Sequence, residues 1–307
     1  MIECQTEYVG GDERKPKRAR TRFLERFIMS SDKHSFIGRV YDLSIVSLHF
    51  DSYDEVAQYP DCKYVIDTDY WLTGLARRVE SLNMVGDMLW LDPVPKNFRG
   101  LVLTRYEWLT VTTDVFLTRY ISVIDCALIL VNDVYRLGLP PKKCTLQNLK
   151  KKALPDTVAD HLKLMLGEQE VLRNERNSRI HHGEEREFTD DDQTFKIASL
   201  FNDKFHGMKG TDRYGRRINV DRSFKEGLVS IQRDFNRSTR LLKKQLDNLY
   251  DLLWEEFEEH FGPLVAAATH GLNAGARRNI TSATRRPASK ANAKISVPNK
   301  IRRSICR

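Results

Sequence analysis

The sequence predicts an all-α protein: an antiparallel helical bundle with a mixed or helical N-terminal extension. Apolar residues recur every three or four positions through several long segments, as amphipathic helices require. Proline, glycine and capping residues stand where these helices are expected to begin and end. A chain of 307 residues that is 41% hydrophobic has ample apolar surface for a buried core.

The first elements are the least regular. Residues 40–48 combine strand-like and helix-like spacing, so their secondary structure stays open. A helix is expected from Asp67 to Asp87, because Asp67 or Asp69 can cap its start and leucine and valine recur at helical spacing. The proline-containing residues 92–95 then break the chain.

The strongest helical pattern spans Leu103 to Leu137, and Gly138 with the prolines behind it ends that helix. A short helix is expected over residues 145–152. A longer helix opens at Pro155-Asp156 and is expected to stop near His182-Gly183.

Three acidic residues, 190–192, follow Thr189 and suit the first turn of another helix, because acids are favourable at a helix N-terminus. Glycine and arginine dominate residues 207–221, which predicts a loop. The last long helix is expected from Ser223 to about His260. Four long helices after residue 103 therefore predict the bundle.

The predicted organisation has four segments. Residues 1–26 form a disordered basic arm, 27–102 an extension packed on the bundle, 103–262 the bundle, and 269–307 a disordered basic tail. The tail has ten Lys or Arg residues and no acid, so the rest of the chain carries −2 of the net +8. Such ends attract polyanions without sequence preference, and a solubilising role for the tail is equally compatible with its composition.

Several classes of protein are disfavoured. No run approaches the ~20 apolar residues that a membrane span needs, and the polar N-terminus does not resemble a secretory signal, so a cytoplasmic location without membrane contact is expected. The five cysteines are scattered and form no C-x-x-C pair, which disfavours disulfides and a zinc site. Neither a metal nor a cofactor is expected.

One segment combines groups suited to phosphate chemistry. Residues 173–183 read R-N-E-R-N-S-R-I-H-H-G and close the long helix that opens at Pro155. Metal-free RNA cleavage needs a base, an acid and a cation on the phosphate, while the RNA's own 2′-hydroxyl is the nucleophile. Histidine suits the proton transfers, and arginine can grip two phosphate oxygens. The same residues would also form an ordinary helix end, with basic side chains in the last turn and Gly183 after it.

The segment resembles the R-N-x-x-x-H motif of HEPN proteins (higher eukaryotes and prokaryotes nucleotide-binding), a superfamily of α-helical bundles that includes RNases of toxin–antitoxin and anti-phage systems. Residues 119–139 resemble the first core helix and turn of such domains. The likeness covers Leu103 to about His260, roughly half of the chain.

The resemblance implies roles for individual residues. Arg176 would stabilise the phosphate, Asn177 would orient its neighbours, and His181 would transfer protons or position the substrate. Asp125, on the preceding core helix, would be a catalytic acid facing the motif, with Arg176 as its natural partner; a structural salt bridge is the alternative. Further RNA contacts are expected from basic side chains of the motif and of the 207–221 loop: Arg173, Arg179, His182, Arg213, Arg216 and Arg217.

Two details stay open at this stage. His182 is a weaker alternative to His181, since it would leave five residues between arginine and histidine. Tyr214 could stack on a base within the 207–221 loop, although a solvated loop would have the same composition and is favoured.

The resemblance also implies a homodimer, whose two motifs meet in one composite RNA-cleaving site. The expected products carry a 2′,3′-cyclic phosphate and a 5′-hydroxyl. The functional hypothesis is a metal-independent endoribonuclease, restrained by an antitoxin or regulatory protein. The alternatives are a non-catalytic module that binds RNA or protein, and an assembly protein whose basic tail packages nucleic acid.

Overall fold

The computed structural model describes residues 23–267, and this range folds into helices and turns without a β-sheet. The all-α prediction is confirmed. A π turn, Ser178–His182, extends the sixth helix. The helices in chain order are α1 Ser35–Ser44, α2 Tyr53–Val56, α3 Pro60–Leu89, α4 Arg105–Val134, α5 Leu146–Lys151, α6 Asp156–Asn177, α7 Asp192–Lys204 and α8 Val220–Ala267.

Helix α4 lies at the centre of the bundle. Its buried side chains, among them Leu109 and Phe116, occupy nearly every turn and face α3, α6, α7 and α8. Helices α3 and α4 are antiparallel, because Tyr64 near the start of α3 donates a hydrogen bond to the Val134 carbonyl at the end of α4. Helix α6 is also antiparallel to α4, so its C-terminus lies near the N-terminal half of α4.

The fourth long helix of the bundle is α3 rather than an element after residue 103. It shares one core with α4 and α8, whereas α7 has only 13 residues. The expected caps, Asp67 and Asp69, lie inside α3, which begins at Pro60, a residue suited to the first helical position. The expected domain division at residues 102/103 stays a prediction.

Residues 40–48, for which the sequence favours neither strand nor helix, form the end of α1 and most of a 3-10 turn, Ile45–His49. The start of α4 is close to the expected Leu103. The Thr104 hydroxyl caps it by accepting from the Glu107 amide, and the Thr104 amide donates to the Glu107 carboxylate, which forms a capping box.

Chain termini define the limits of what is described. The predicted tail 269–307 and most of the predicted arm 1–26 lie outside the described residues. Residues 23–26 are held on the bundle: the Leu24 amide donates to the Gln232 side chain at 3.1 Å, and Arg26 pairs with Asp87. Residues 23–26 of the predicted arm are therefore packed on the bundle rather than disordered.

A half-buried carboxyl group at the end of α4 makes the stability of the fold depend on pH. Burial raises the pKa of Asp133 to about 6, although the Thr68 hydroxyl donates to it at 3.0 Å. Between the unfolded and folded pKa values the unfolded chain loses this proton first, so rising pH favours unfolding. We expect Asp133→Asn to raise the free energy of unfolding at pH 7 by on the order of 2 kcal/mol.

Urea unfolding at pH 4 and pH 7 measures this effect. The stability of Asp133→Asn is expected to vary less between these two pH values than that of the wild type. The control is Asp42→Asn, which changes an exposed carboxylate without an ion pair in the described range. Equal pH profiles for all three proteins would contradict the expectation.

Candidate active site at the end of α6

Helix α6 ends in a widened turn that carries the predicted motif. Its α-helical part stops at Asn177, and Gly183 follows the π turn at φ 69°, with its amide donating to the Ser178 carbonyl. In an α-helix, residues five apart point about 140° away from each other. A π turn has more residues per turn than an α-helix. It therefore reduces the angle between the directions of the Arg176 and His181 side chains. Such turns are frequent at functional sites.

Three arginines follow one another at intervals of three residues at the end of α6, and the first and the last of them contact the neighbouring helix α4. Arg173 pairs with Asp125 at 3.1 Å, and Arg179 pairs with Asp114 at 2.6 Å. The two aspartates are eleven residues apart, about three helical turns, and therefore lie on one face of α4. They neutralise the first and the last arginine of the row.

The middle arginine, Arg176, has no such partner. It forms no ion pair with any residue in the described range, and its Nε is buried without a hydrogen-bond partner there. Leaving a buried donor unsatisfied costs about 1–3 kcal/mol. The uncompensated guanidinium of this half-buried side chain is therefore available to an anion.

Asp125 differs from its expected setting. The predicted pairing with Arg176 is wrong, because Asp125 contacts Arg173 instead and its side chain is 55% exposed. The alternative of a salt bridge thus describes its geometry. A catalytic role for Asp125 stays a prediction of the resemblance.

The polar groups around Arg176 are accessible. His181 and His182 are both exposed, and Asn177 is half-buried. No hydrogen bond or ion pair to another described residue holds either imidazole. Both rings can therefore approach a substrate or a second protein chain.

Arg179 has a structural position rather than the expected surface position. Its side chain is only 6% exposed, and besides Asp114 it donates to the Thr110 carbonyl at 3.3 Å. Arg179 therefore fastens the π turn to α4, and an RNA contact of this side chain stays a prediction. Arg173 is 31% exposed and forms an ion pair with Asp125. Its predicted RNA contact stays a prediction.

The predicted RNA-binding loop is folded upon itself. The guanidinium carbons of Arg213 and Arg216 lie 4.8 and 4.9 Å from the centre of the Tyr214 ring, so that ring is already in contact with two cations. Arg216 also pairs with Asp212 at 2.6 Å and Asp190 at 3.1 Å. These contacts favour the interpretation as a solvated loop. Arg217 is exposed beside Thr211, and an RNA contact there stays a prediction.

A second set of ion pairs ties the motif to α8. Arg186 pairs with Glu175, the residue before Arg176, at 3.4 Å and also with Asp234 of α8. Nearby, the pKa of Glu185 is lowered, mainly by its hydrogen bond from Lys196 and also by one from the Tyr106 hydroxyl. The sequence analysis missed these supports. Asp114 could have been found as the second acid on the Asp125 face of α4, but the Arg186 contacts join distant parts of the chain.

Between residues 23 and 267, no three His, Cys, Asp or Glu side chains lie close enough together to hold a metal ion. No helix in the same range has an apolar stretch long enough to cross a membrane.

Comparison with known proteins places the chain in a family. No curated protein and no solved structure matches it significantly. A protein family described as HEPN_Cthe2314-like HEPN matches residues 71–251, which is more than half of the chain. This range includes most of α3 and all of α4, α6 and α7, together with the motif at the end of α6. The protein belongs to the HEPN superfamily.

Proposed function

We propose that this protein is a metal-independent endoribonuclease that cleaves RNA at the end of α6. The observation that carries the proposal is the guanidinium of Arg176, which has no acidic partner in the described range although arginines three residues before and after it are paired. A phosphate diester would supply the missing negative charge, and arginine binds it through two parallel hydrogen bonds.

The proposed reaction uses Arg176 together with the exposed imidazole that follows it in the motif. One imidazole takes the proton of the RNA 2′-hydroxyl as that oxygen attacks phosphorus, and the bond from phosphorus to the 5′-oxygen breaks. A second imidazole donates a proton to the departing 5′-oxygen. The products carry a 2′,3′-cyclic phosphate and a 5′-hydroxyl. Arg176 stabilises the charge that builds on the phosphate in the transition state, and Asn177 orients the motif.

The two imidazoles come from two copies of the chain in our proposal. The outer face of α6 presents Leu164, Gly167, Val171 and Asn174 at intervals of three or four residues, and all four are exposed. Leu164 and Val171 are 55% and 75% exposed, which favours their burial in an interface. Since this face leads into the motif, a symmetric contact along it would bring both His181 side chains to one composite site.

The resemblance extends the proposal to the cellular setting. We propose a role in toxin–antitoxin or anti-phage defence, in which an antitoxin or regulatory protein restrains the ribonuclease. A partner that covers the exposed His181 would be sufficient to block RNA access.

The first test replaces the unpaired arginine. We expect Arg176→Met to lower the rate of RNA cleavage in EDTA by roughly 10²- to 10³-fold, the usual effect of removing one group that stabilises transition-state charge. Its melting temperature is expected to stay the same or rise, because the substitution removes a buried donor without a partner. Cleavage and end chemistry are measured on total RNA.

A matched control makes the same change elsewhere. Arg77→Met alters an exposed arginine of α3 without an ion pair in the described range, and it should cleave like the wild type. Wild-type protein that binds RNA but never cleaves it would instead support the non-catalytic binding module. Equal cleavage by Arg176→Met and wild type would contradict the proposed site.

A further inference from the structure

A row of exposed cations runs along one face of α8. We call it the α8 cationic stripe; its members are Arg233, Arg237, Arg240 and Lys244. They follow one another at intervals of four, three and four residues, which places them on one side of the helix. The row is about 16 Å long, since its ends are eleven residues apart at 1.5 Å per residue.

The charges of the α8 cationic stripe are not compensated within the described range. None of its four members has an ion pair there, and the acids of the same stretch are engaged elsewhere: Asp234 pairs with Arg186 and Asp247 pairs with Lys243. Arg240 lies 5.3 Å from the centre of the Phe27 ring, a contact that uses one face of the guanidinium. Like charges at these intervals on one helix repel each other, so a polyanion would relieve the repulsion.

A chain of ion pairs connects the start of the stripe with the candidate active site. The first member of the stripe, Arg233, is adjacent in sequence to Asp234, and the Asp234–Arg186–Glu175 chain of ion pairs reaches the residue before Arg176. From there the stripe follows α8 back along α6, because the two helices are antiparallel: His161 of α6 contacts the Gln245 carbonyl at 2.8 Å.

We propose that the α8 cationic stripe binds the sugar–phosphate backbone of the RNA whose scissile phosphate lies at Arg176. The inference rests on the proposed function and adds to it a substrate track outside the motif. RNA is favoured over an acidic protein because one long polyanion could satisfy both the unpaired Arg176 and the row that starts next to Asp234, at the α8 end of the ion-pair chain to Glu175. Three of the four members are arginine, whose planar guanidinium suits phosphate oxygens.

A neighbouring cavity does not belong to this track. Besides Arg233 of the stripe, its charged lining residues are two arginines and three acids: Arg216, Arg222, Glu187, Asp190 and Glu226. Arg216 and Arg222 pair with Asp190 and Glu226, so apart from Arg233 this cavity offers no net attraction to a polyanion. The track therefore follows the exposed face of α8.

The test removes the stripe from the full-length chain in a non-cleaving background. The four members are changed to Gln together with His181→Ala, and binding of a fluorescein-labelled single-stranded 20-nucleotide poly-U RNA is measured from 50 to 400 mM NaCl. Each lost phosphate contact should reduce the salt slope by about 0.7, so four contacts reduce it by about 2 to 3. Affinity at low salt is expected to fall on the order of 10- to 100-fold.

The matched control removes the same number of positive charges from the segment that follows the C-terminal end of α4. Lys142, Lys143, Lys150 and Lys151 are exposed and have no ion pair in the described range; their change to Gln should leave most of the affinity in place. An equal loss in both quadruple variants, or an unchanged slope in the stripe variant, would overturn the proposal. The proposal would also be overturned if poly-glutamate of equal charge displaced the RNA and if its own binding depended equally on the stripe. The surface would then fit an acidic protein.

Cleavage assays separate this inference from the proposed function. With an active His181, the stripe variant should show a raised KM and an unchanged kcat on long RNA, and no change on a trinucleotide too short to reach the stripe. If Arg176→Met abolishes cleavage but the stripe variant cleaves long RNA like the wild type, only the substrate track is contradicted. If RNA binding depends on the stripe but the wild type cleaves no RNA, the proposed ribonuclease activity is contradicted and the polyanion-binding surface stands.

Discussion

Replacing His181 with Ala is expected to lower the rate of RNA cleavage by about 10²- to 10⁴-fold, the usual contribution of one general acid or base. The side chain is exposed and has no partner in the described range, so its removal should change the free energy of unfolding by less than about 0.5 kcal/mol. The measurement is single-turnover cleavage of a defined RNA in EDTA, alongside thermal unfolding.

Two histidine controls sharpen the result. His206→Ala changes another exposed histidine, beyond the end of α7, and should leave cleavage intact. His182→Ala tests the weaker alternative, and a larger loss there than in His181→Ala would transfer the proton chemistry to His182. Full activity in both motif variants would remove histidine from the mechanism.

Mixed dimers distinguish a composite site from two separate sites. A dimer of one wild-type and one His181→Ala chain should retain far less than half of the wild-type activity, because the single site would lack one of its two imidazoles. Independent sites would keep about half. The assay uses two affinity tags to isolate the mixed species.

Helices whose buried face is recorded in the local sequence could be predicted, whereas features set by contacts between distant residues could not. Helix periodicity identified α4, α6 and α8, because apolar residues at three- and four-residue intervals record which face of a helix is buried. The start of α3 was placed too late because Asp67 and Asp69 are good cap residues in isolation. In the structure Asp67 instead accepts a hydrogen bond from the Tyr53 hydroxyl at 2.7 Å, a contact that sequence spacing does not reveal.

Part of the candidate site could likewise be predicted from the local sequence, and part of it depends on packing between helices. Its motif is contiguous, so Arg176, Asn177 and His181 could be selected from the sequence. Which arginine receives which acid depends on the register between α4 and α6, and the π turn at Ser178–His182 changes that register locally. Residue type alone therefore made Arg176 the obvious partner for Asp125, whereas the packing gives that place to Arg173.

The stability of the bundle depends on how α4 is anchored at its N-terminus. Arg105 and Asp203 form an ion pair with only 3% and 1% of their side chains exposed. Asp203 also accepts the Arg105 amide at 2.8 Å, and the Ser199 hydroxyl beside it accepts the Tyr106 amide at 3.1 Å. These α7 side chains satisfy amides of the first turn of α4 that have no partner within the helix.

We expect Asp203→Ala to lower the free energy of unfolding by about 3–5 kcal/mol, because it leaves a buried guanidinium and a helix amide without their main acceptor. The control is Asp221→Ala. Asp221 contacts the same arginine at 3.0 Å but is 71% exposed, so its loss should cost less than about 1 kcal/mol. Urea unfolding followed by circular dichroism measures both values.

The same pair of variants separates stability from chemistry at the site. Asp203 contacts the first turn of α4, whereas Arg179 is fastened to Thr110 and Asp114 further along the helix. Asp203→Ala protein that is still folded at low temperature should therefore cleave RNA at close to the wild-type rate per folded molecule. A small loss of stability, equal to that of Asp221→Ala, would show that the buried pair does not anchor α4.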